Sequence, residues 1–255
     1  KAIYGIDIRV PGMLYAVVAR CPVVGGRVDS FDAIQAESVP GVQAVVQVPS
    51  GIAVVAQNTW AAIRGRAALS VTWREGSNAN LSSDFIHQTL VSTMNKALAQ
   101  EAPTTLKTIE AVYETPYLAH APLEPVNCVA DVRSDMCELW LPTQNPQAVQ
   151  EFVRDSLGMQ TLVHITLIGG GFGRKLEVDF ALEAAEVSKA IGGPVQVVWT
   201  RDDDIQHDFY RQVTYHAMKA GWDGNESIQL WRHYLAAQGI RGVAYYADNE
   251  VLDED

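Results

Sequence analysis

Short apolar runs bounded by glycine or proline dominate the first third of the chain, at residues 14–19, 41–46 and 51–56, and each reads as a buried strand. Asn58 follows the last of them and is placed to cap a helix through Arg66, because its side-chain oxygen can accept from an unpaired N–H of the first turn. A strand at 69–73 follows, so residues 1–74 predict a compact α+β unit. The pattern changes at Glu75: residues 76–80 are turn-forming, and Ser83 or Asp84 opens a helix to about Ala99. Its polar flanks make 75–108 a linker with one embedded helix. A second unit, 109–255, begins with strands near 108–113, 127–133 and 136–140. Asn145 then caps a helix with Pro146 at its first position, Val149, Phe152, Val153 and Leu157 recur at helical spacing, and Gly158 ends it. A strand at 161–168, a glycine cluster, a helix at 176–191 and a strand at 194–200 form a crossover, right-handed if the two strands share a sheet. The fold class is α+β: a small α/β unit followed by a mixed α/β one.

Composition narrows the functional classes. A length of 255 residues allows one large domain or two small ones, and 48% hydrophobic with 19% charged residues is ordinary for a globular protein. A net charge of −11 opposes binding to a phosphate backbone, so nucleic acid is not an expected partner. No apolar run approaches the roughly 18 residues of a membrane-spanning helix. Cys21, Cys128 and Cys137 lack CxxC spacing and cannot form an iron–sulfur or zinc site alone. Cys128 and Cys137 could bridge across a hairpin, but buried free thiols are the expectation. The chain opens on Lys1 with strand-like sequence already under way, and no targeting pattern is legible at this end.

The most informative stretch is Ile168-Gly169-Gly170-Gly171-Phe172-Gly173-Arg174-Lys175, between a strand and a helix. Glycines there let backbone amides approach a ligand, and a helix start favours an anion. The dinucleotide pattern GxGxxG and the phosphate-loop pattern GxxxxGK both require glycine where Arg174 stands, so neither applies. Two readings stay open on spacing alone: an anion site, and a flexible turn that allows close strand–helix packing.

Gly169-Gly170-Gly171-Phe172-Gly173 resembles the glycine loop of the molybdenum hydroxylases, the xanthine and aldehyde oxidase family. Pro142-Thr143-Gln144-Asn145-Pro146 resembles the segment whose glutamine contacts an oxygen on the metal. Ala119 to Pro125, Val198 to Asp204, and Tyr4-Gly5-Ile6-Asp7 with Pro11-Gly12-Met13-Leu14 match further family stretches in order, and Gly173-Arg174 before Leu176-Glu177-Val178-Asp179 points to the isoquinoline 1-oxidoreductase branch. The resemblance implies a hammerhead-like domain over 1–74 and the start of a molybdopterin-binding domain over 109–255. It also implies a large subunit that inserts water-derived oxygen into a C–H bond of an N-heteroaromatic compound or aldehyde. The implied cofactor is molybdopterin with molybdenum, as a cytosine dinucleotide, held by Gln144, Gly169, Gly170, Gly171, Phe172, Gly173 and Arg174. The implied partners are an iron–sulfur small subunit carrying [2Fe–2S] clusters and an electron acceptor such as a cytochrome, in a bacterial periplasmic or membrane-associated setting. The family's base is a glutamate beyond Asp255, so no catalytic residue and no direct metal ligand is expected here, and the segment alone is expected to be inactive. Leu176 stands where purine oxidases carry a substrate-binding glutamate, with Glu177 displaced by one, so both are assigned to the substrate pocket and purines are disfavoured.

Other charged residues have simpler readings. His120 and Glu124 read as a buried polar pair satisfied by backbone, and Arg201 to Asp204 as a capping and salt-bridge cluster. Asp202, Asp203 and Asp204 read as a solvated turn rather than a metal site, because consecutive acids cannot all face one ion on regular backbone. Residues 248–255 read as an acidic end or connector. Two other functions remain open: an assembly module that docks an iron–sulfur subunit, and a phosphate-ligand binding protein using 169–175.

Overall fold

The structure is a computed structural model and describes residues 2–223 and 227–238, so the acidic stretch 248–255 lies outside the described residues. The chain runs through β1 (Leu14–Ala19), β2 (Arg27–Asp32), α1 (Ile34–Glu37), β3 (Val42–Val48), β4 (Gly51–Ala56), α2 (Thr59–Ala67) and β5 (Ser70–Arg74). It continues with α3 (Ser83–Leu98), β6 (Lys107–Thr115), β7 (Asn127–Val132), β8 (Met136–Leu141), α4 (Pro146–Leu157) and β9 (Gln160–Ile165). Then come α5 (Asp179–Ile191), β10 (Val195–Val198), α6 (Arg201–Gln206), β11 (Thr214–Trp222) and β12 (Ile228–Ala237).

The caps sit where side-chain chemistry put them. Asn58 Oδ1 accepts from the Ala61 N–H at 2.9 Å, Asn145 Oδ1 accepts from Ala148 at 3.3 Å, and Gly158 closes α4 at φ +67°. The glycine loop does not run straight into a long helix, however. A 3-10 turn at Arg174–Leu176 comes first, and α5 starts only at Asp179, whose acid already occupies the first turn. The expected strand over 161–168 likewise stops at Ile165.

Compactness divides the chain differently from the expected boundary at 75–108. One unit is residues 1–79 with 120–208; the other is residues 80–119 with those from Phe209 onward. The reason is long-range pairing: β1 lies parallel to β10, with Leu14 opposite Val195, so early and late strands share one sheet. That sheet has seven strands in the order β3-β4-β1-β10-β7-β8-β9. The expected crossover therefore exists, but β7 and β8 lie between its two strands.

The period of two along β1 explains the core. Ala16 and Val18 join the cluster that includes Ala181, Ala184 and Ala185 of α5, while Val17 packs with Ala61 and Ala62 of α2. Alanines on α5 let the helix approach closely, and Ser188 ties its end to the sheet by accepting from Val132 N at 2.8 Å and donating to Gly193 O at 2.9 Å. Cys21, Cys128 and Cys137 are buried free thiols. Burial raises Cys128 well above the usual thiol value and pushes Cys137 up to about 12, so neither is a nucleophile at neutral pH.

The second unit is an antiparallel sheet ordered β12-β11-β6, on which α3 lays Leu90 and Met94 against Val213, Ala217 and Ala236. The helix expected inside the linker is present, capped by Ser82 Oγ at 3.2 Å from Phe85 N, and it belongs to this core.

One half-buried acid in the first unit makes stability depend on pH. Desolvation, then the neighbouring Glu183, push the Glu186 carboxyl up to about 7. The unfolded chain ionises Glu186 near 4.5, so the stabilisation from its protonated form is full below that pH and lost as pH rises to 7. A shift of that size is about 3 kcal/mol at most, and solvent screening leaves about 1–2 kcal/mol. Glu186→Gln is expected to raise the urea midpoint at pH 8 and to leave it unchanged near pH 4.5. Equal midpoints at pH 8 would show that the carboxylate is solvated.

Candidate functional site

The candidate residues gather at one end of the first unit, where the chain leaves β9 and passes the segment between residues 120 and 124. Glu124 and Gly169 exchange hydrogen bonds: Glu124 N donates to Gly169 O at 2.9 Å, and Gly169 N donates to Glu124 Oε2 at 2.8 Å. Glu124 Oε1 also accepts from Ile6 N at 3.2 Å and from Asn127 Nδ2 at 3.3 Å. Lys175 Nζ, fully buried, completes the cluster 2.9 Å from Glu124 Oε2. Burial lowers the Lys175 pKa, and the Glu124 hydrogen bond and charge oppose that. Glu124 is thus satisfied by backbone as expected, but it and His120 do not pair with each other: Glu124 binds Lys175, and His120 hydrogen-bonds Asp208.

Arg174 also points inward. Its guanidinium, 0% exposed, forks onto Asp179 at 2.9 and 2.7 Å and lies 3.3 Å from Asp208 Oδ1. Against desolvation, Asp179 and then Asp208 hold its pKa above the usual value. Asp208 reaches His120 as well, at 3.0 Å from Nδ1.

Gln144 sits directly against the loop. Its backbone N–H donates to Lys175 O at 2.8 Å, and its Oε1 accepts from Gly173 N at 3.1 Å. A Cβ placed on Gly171 would lie 2.8 Å from Gln144 Cδ and closer still to Oε1, so any larger residue there displaces the Gln144 side chain from the loop. Gly170 and Gly173 have φ of +97° and +112°, the left-handed region that glycine enters freely. Phe172, at φ +54°, and Ala121, at φ +41°, are the non-glycine residues with positive φ among the described residues. Both belong to this site: a Cβ on Gly170 would meet Phe172 Cε2 at 3.2 Å and Pro122 Cβ at 3.4 Å. Backbone strain of this kind costs about 1–3 kcal/mol per residue and concentrates at functional sites.

The outer rim is apolar. Phe172 is 75% exposed, Leu123 89% and Leu176 48%. Glu177 is half-buried, and desolvation, then Asp179, raise its pKa. The site therefore brings together Gln144, Gly169 to Gly173, Leu176 and Glu177, with the Arg174 side chain behind the loop.

The three acids after Arg201 do not form the expected solvated turn. They start α6, in which Thr200 and Asp203 cap each other, Arg66 binds Asp203 at 2.7 Å and Arg201 binds Asp204 at 2.7 Å. Asp203 and Asp204 are buried because these arginines neutralise them; Asp202 alone is exposed. Among the described residues no group of three or more His, Cys, Asp or Glu is arranged to hold a metal.

The residues that sequence reasoning missed are Asp208 and Asp179, which lock Arg174. No local pattern marks Asp208, since it is far from Arg174 along the chain. Asp179 had a signal: a fork-bearing arginine five residues before an acid at a helix start.

The family described as the molybdopterin cofactor-binding domain matches residues 82–244. The chain belongs to this family. As a molybdopterin cofactor-binding domain it has relatives along nearly its whole length. The isoquinoline 1-oxidoreductase subunit beta of Brevundimonas diminuta is 32% identical over 93% of this chain and 33% of its own length. The membrane-bound aldehyde dehydrogenase [pyrroloquinoline-quinone] of Gluconacetobacter polyoxogenes is 30% identical over 95% of this chain and 34% of its own. The chain thus spans about a third of the length of these relatives. Quinoline 2-oxidoreductase from Pseudomonas putida 86 superposes with a TM-score of 0.69 at 18% identity, covering 91% of this chain and 36% of that one, which shows a shared mixed α/β fold.

The loop's geometry fits the cofactor of a molybdopterin cofactor-binding domain. Gly170 and Gly173 bring bare backbone to the surface, and the Gly171 position leaves just the space that Gln144 fills. The Gln144 carbonyl is committed to Gly173, which leaves its amide N–H groups as donors toward a ligand oxygen.

Proposed function

We propose that the complete polypeptide is the cofactor-bearing large subunit of a molybdenum-dependent oxidoreductase, and that residues 144 and 169–173 form one wall of its cofactor site. The observation that carries this reading is the strained glycine loop braced by Gln144 Oε1. When bound, the cofactor supplies the two-electron redox chemistry that oxygenates a carbon with oxygen from water. The chain's own part is to bind and orient it. Gln144 offers N–H donors to an oxygen, the glycines allow close approach, and Phe172 and Leu176 supply an apolar rim that excludes water and suits a flat N-heteroaromatic ring or an aldehyde. The partially desolvated Glu177 is assigned to the same rim. The proposed cofactor form is the cytosine dinucleotide, and the proposed partners are an iron–sulfur small subunit with [2Fe–2S] clusters and a downstream electron acceptor such as a cytochrome. The chain alone, about a third of such a subunit, is proposed to be inactive.

The phosphate-ligand alternative is weakened by the two cations of the loop. Arg174 and Lys175 are both buried in ion pairs and present no charge to a phosphate at its surface.

Metal and pterin analysis of the purified complete subunit tests the reading. Molybdenum with pterin supports it; pyrroloquinoline quinone without molybdenum, after the name of the second relative, would overturn it. Gln144→Ala in that subunit is expected to lower molybdenum content or turnover about tenfold to a hundredfold, the worth of a hydrogen bond of about 1–3 kcal/mol to a partner left unsatisfied. Its melting temperature is expected to hold, because Gln144 is exposed. Normal metal and normal turnover would remove Gln144 from the site.

A further inference from the structure

His120 stands beside the glycine loop, anchored at one ring nitrogen and open at the other. Its Nδ1 lies 3.0 and 3.1 Å from the two carboxylate oxygens of Asp208, and its backbone N–H donates to the same carboxylate at 2.5 Å. The Asp208 side chain is fully buried and is held from behind by Arg174. A carboxylate in that position makes Nδ1 the protonated nitrogen, which leaves Nε2 as the one directed elsewhere. Nε2 lies 3.2 Å from where a Cβ on Gly173 would stand, and it makes no hydrogen bond among the described residues. The ring is partly open to solvent, and the next residue is the strained Ala121. A histidine oriented by a buried carboxylate, with its second nitrogen at the surface of a glycine loop, is built to meet a polar atom from outside.

We propose that His120 is a ligand-facing positioning residue: Nε2 hydrogen-bonds a polar atom of the group seated on the loop, while Asp208 and Arg174 fix the ring. This rests on the reading of residues 169–173 as a seat for molybdopterin. If His120 only tied its own segment to Asp208, the far nitrogen would be dispensable.

Two variants of the complete subunit separate these roles. His120→Asn keeps a donor near the Nδ1 position for Asp208 and removes the far nitrogen; His120→Gln places an amide near the Nε2 position and gives up the Asp208 contact. Pterin release is followed by the fluorescence of freed pterin, beside thermal melts. The Asn variant is expected to melt like wild type and to release pterin about tenfold faster, the effect of one lost hydrogen bond. The Gln variant is expected to retain pterin more nearly as wild type does, with the lower melting temperature. Wild-type retention in the Asn variant, or losses in both variants that follow melting temperature alone, would overturn the proposal. A wild-type subunit without pterin would sink the reading of the loop, and this role with it.

Discussion

Arg174→Met is expected to destabilise the chain by about 3–5 kcal/mol, the usual cost of removing one partner from a buried ion cluster. Methionine approximates the length of the arginine stem, so the loss comes from charge rather than from a cavity. The substitution leaves Asp179 without its forked partner and removes a cation from Asp208, both carboxylates being almost wholly excluded from water. It also removes the guanidinium that lies 5.0 Å from the Trp199 ring, which the Arg20 guanidinium approaches at 3.9 Å. Arg174→Lys is expected to recover only part of the loss, since an ammonium cannot make the fork. Adding Asp179→Leu to Arg174→Met is expected to restore part of the stability, because the second substitution removes one of the two carboxylates stranded by the first and leaves Asp208. Urea unfolding of the three variants measures this. A loss under about 1 kcal/mol for Arg174→Met would mean that the cluster is solvated and does not hold the loop.

Gly171→Val in the complete subunit is expected to reduce molybdenum content by about a hundredfold or more, beyond the loss expected of Gln144→Ala. The reason is space rather than backbone conformation, because the positive-φ glycines are Gly170 and Gly173, not Gly171. A branched side chain would occupy the position of the Gln144 amide, expel its oxygen from the Gly173 N–H and stand in its place on the ligand side of the loop. Overpacking of this kind costs about 1–3 kcal/mol of stability, which should leave the subunit folded. Gly193→Ala is the control: a Cβ there meets nothing within 4 Å, so metal content and melting temperature should both stay at wild-type values. Full molybdenum in the Gly171→Val subunit would place the cofactor elsewhere.

Much of the local structure was legible because its causes are local. The helix caps at Asn58, Asn145 and Gly158 depend on atoms within four residues. The buried strands β4 and β7 announce themselves as apolar runs between turn residues. β2 was not legible: Arg27, Asp29, Ser30 and Asp32 carry no apolar signal, and the strand exists because β5 supplies its hydrogen-bond partners. The glycine loop and Gln144 stood out as motifs, but nothing along the chain marks Arg174 and Lys175 as buried. Their inward direction follows from Glu124, Asp179 and Asp208, whose proximity no spacing rule expresses.

The sequence by itself determined the α+β class, most of the helices with their caps, and the glycine loop as a motif, because each is set by side chains near one another along the chain. Only the tertiary structure decided that β1 joins β10, that α3 belongs to a core rather than a linker, and that the two cations of the loop face the interior. These depend on which distant groups meet. Meeting is settled by the burial of whole faces and the neutralisation of buried charge, both properties of the folded chain rather than of any stretch of it.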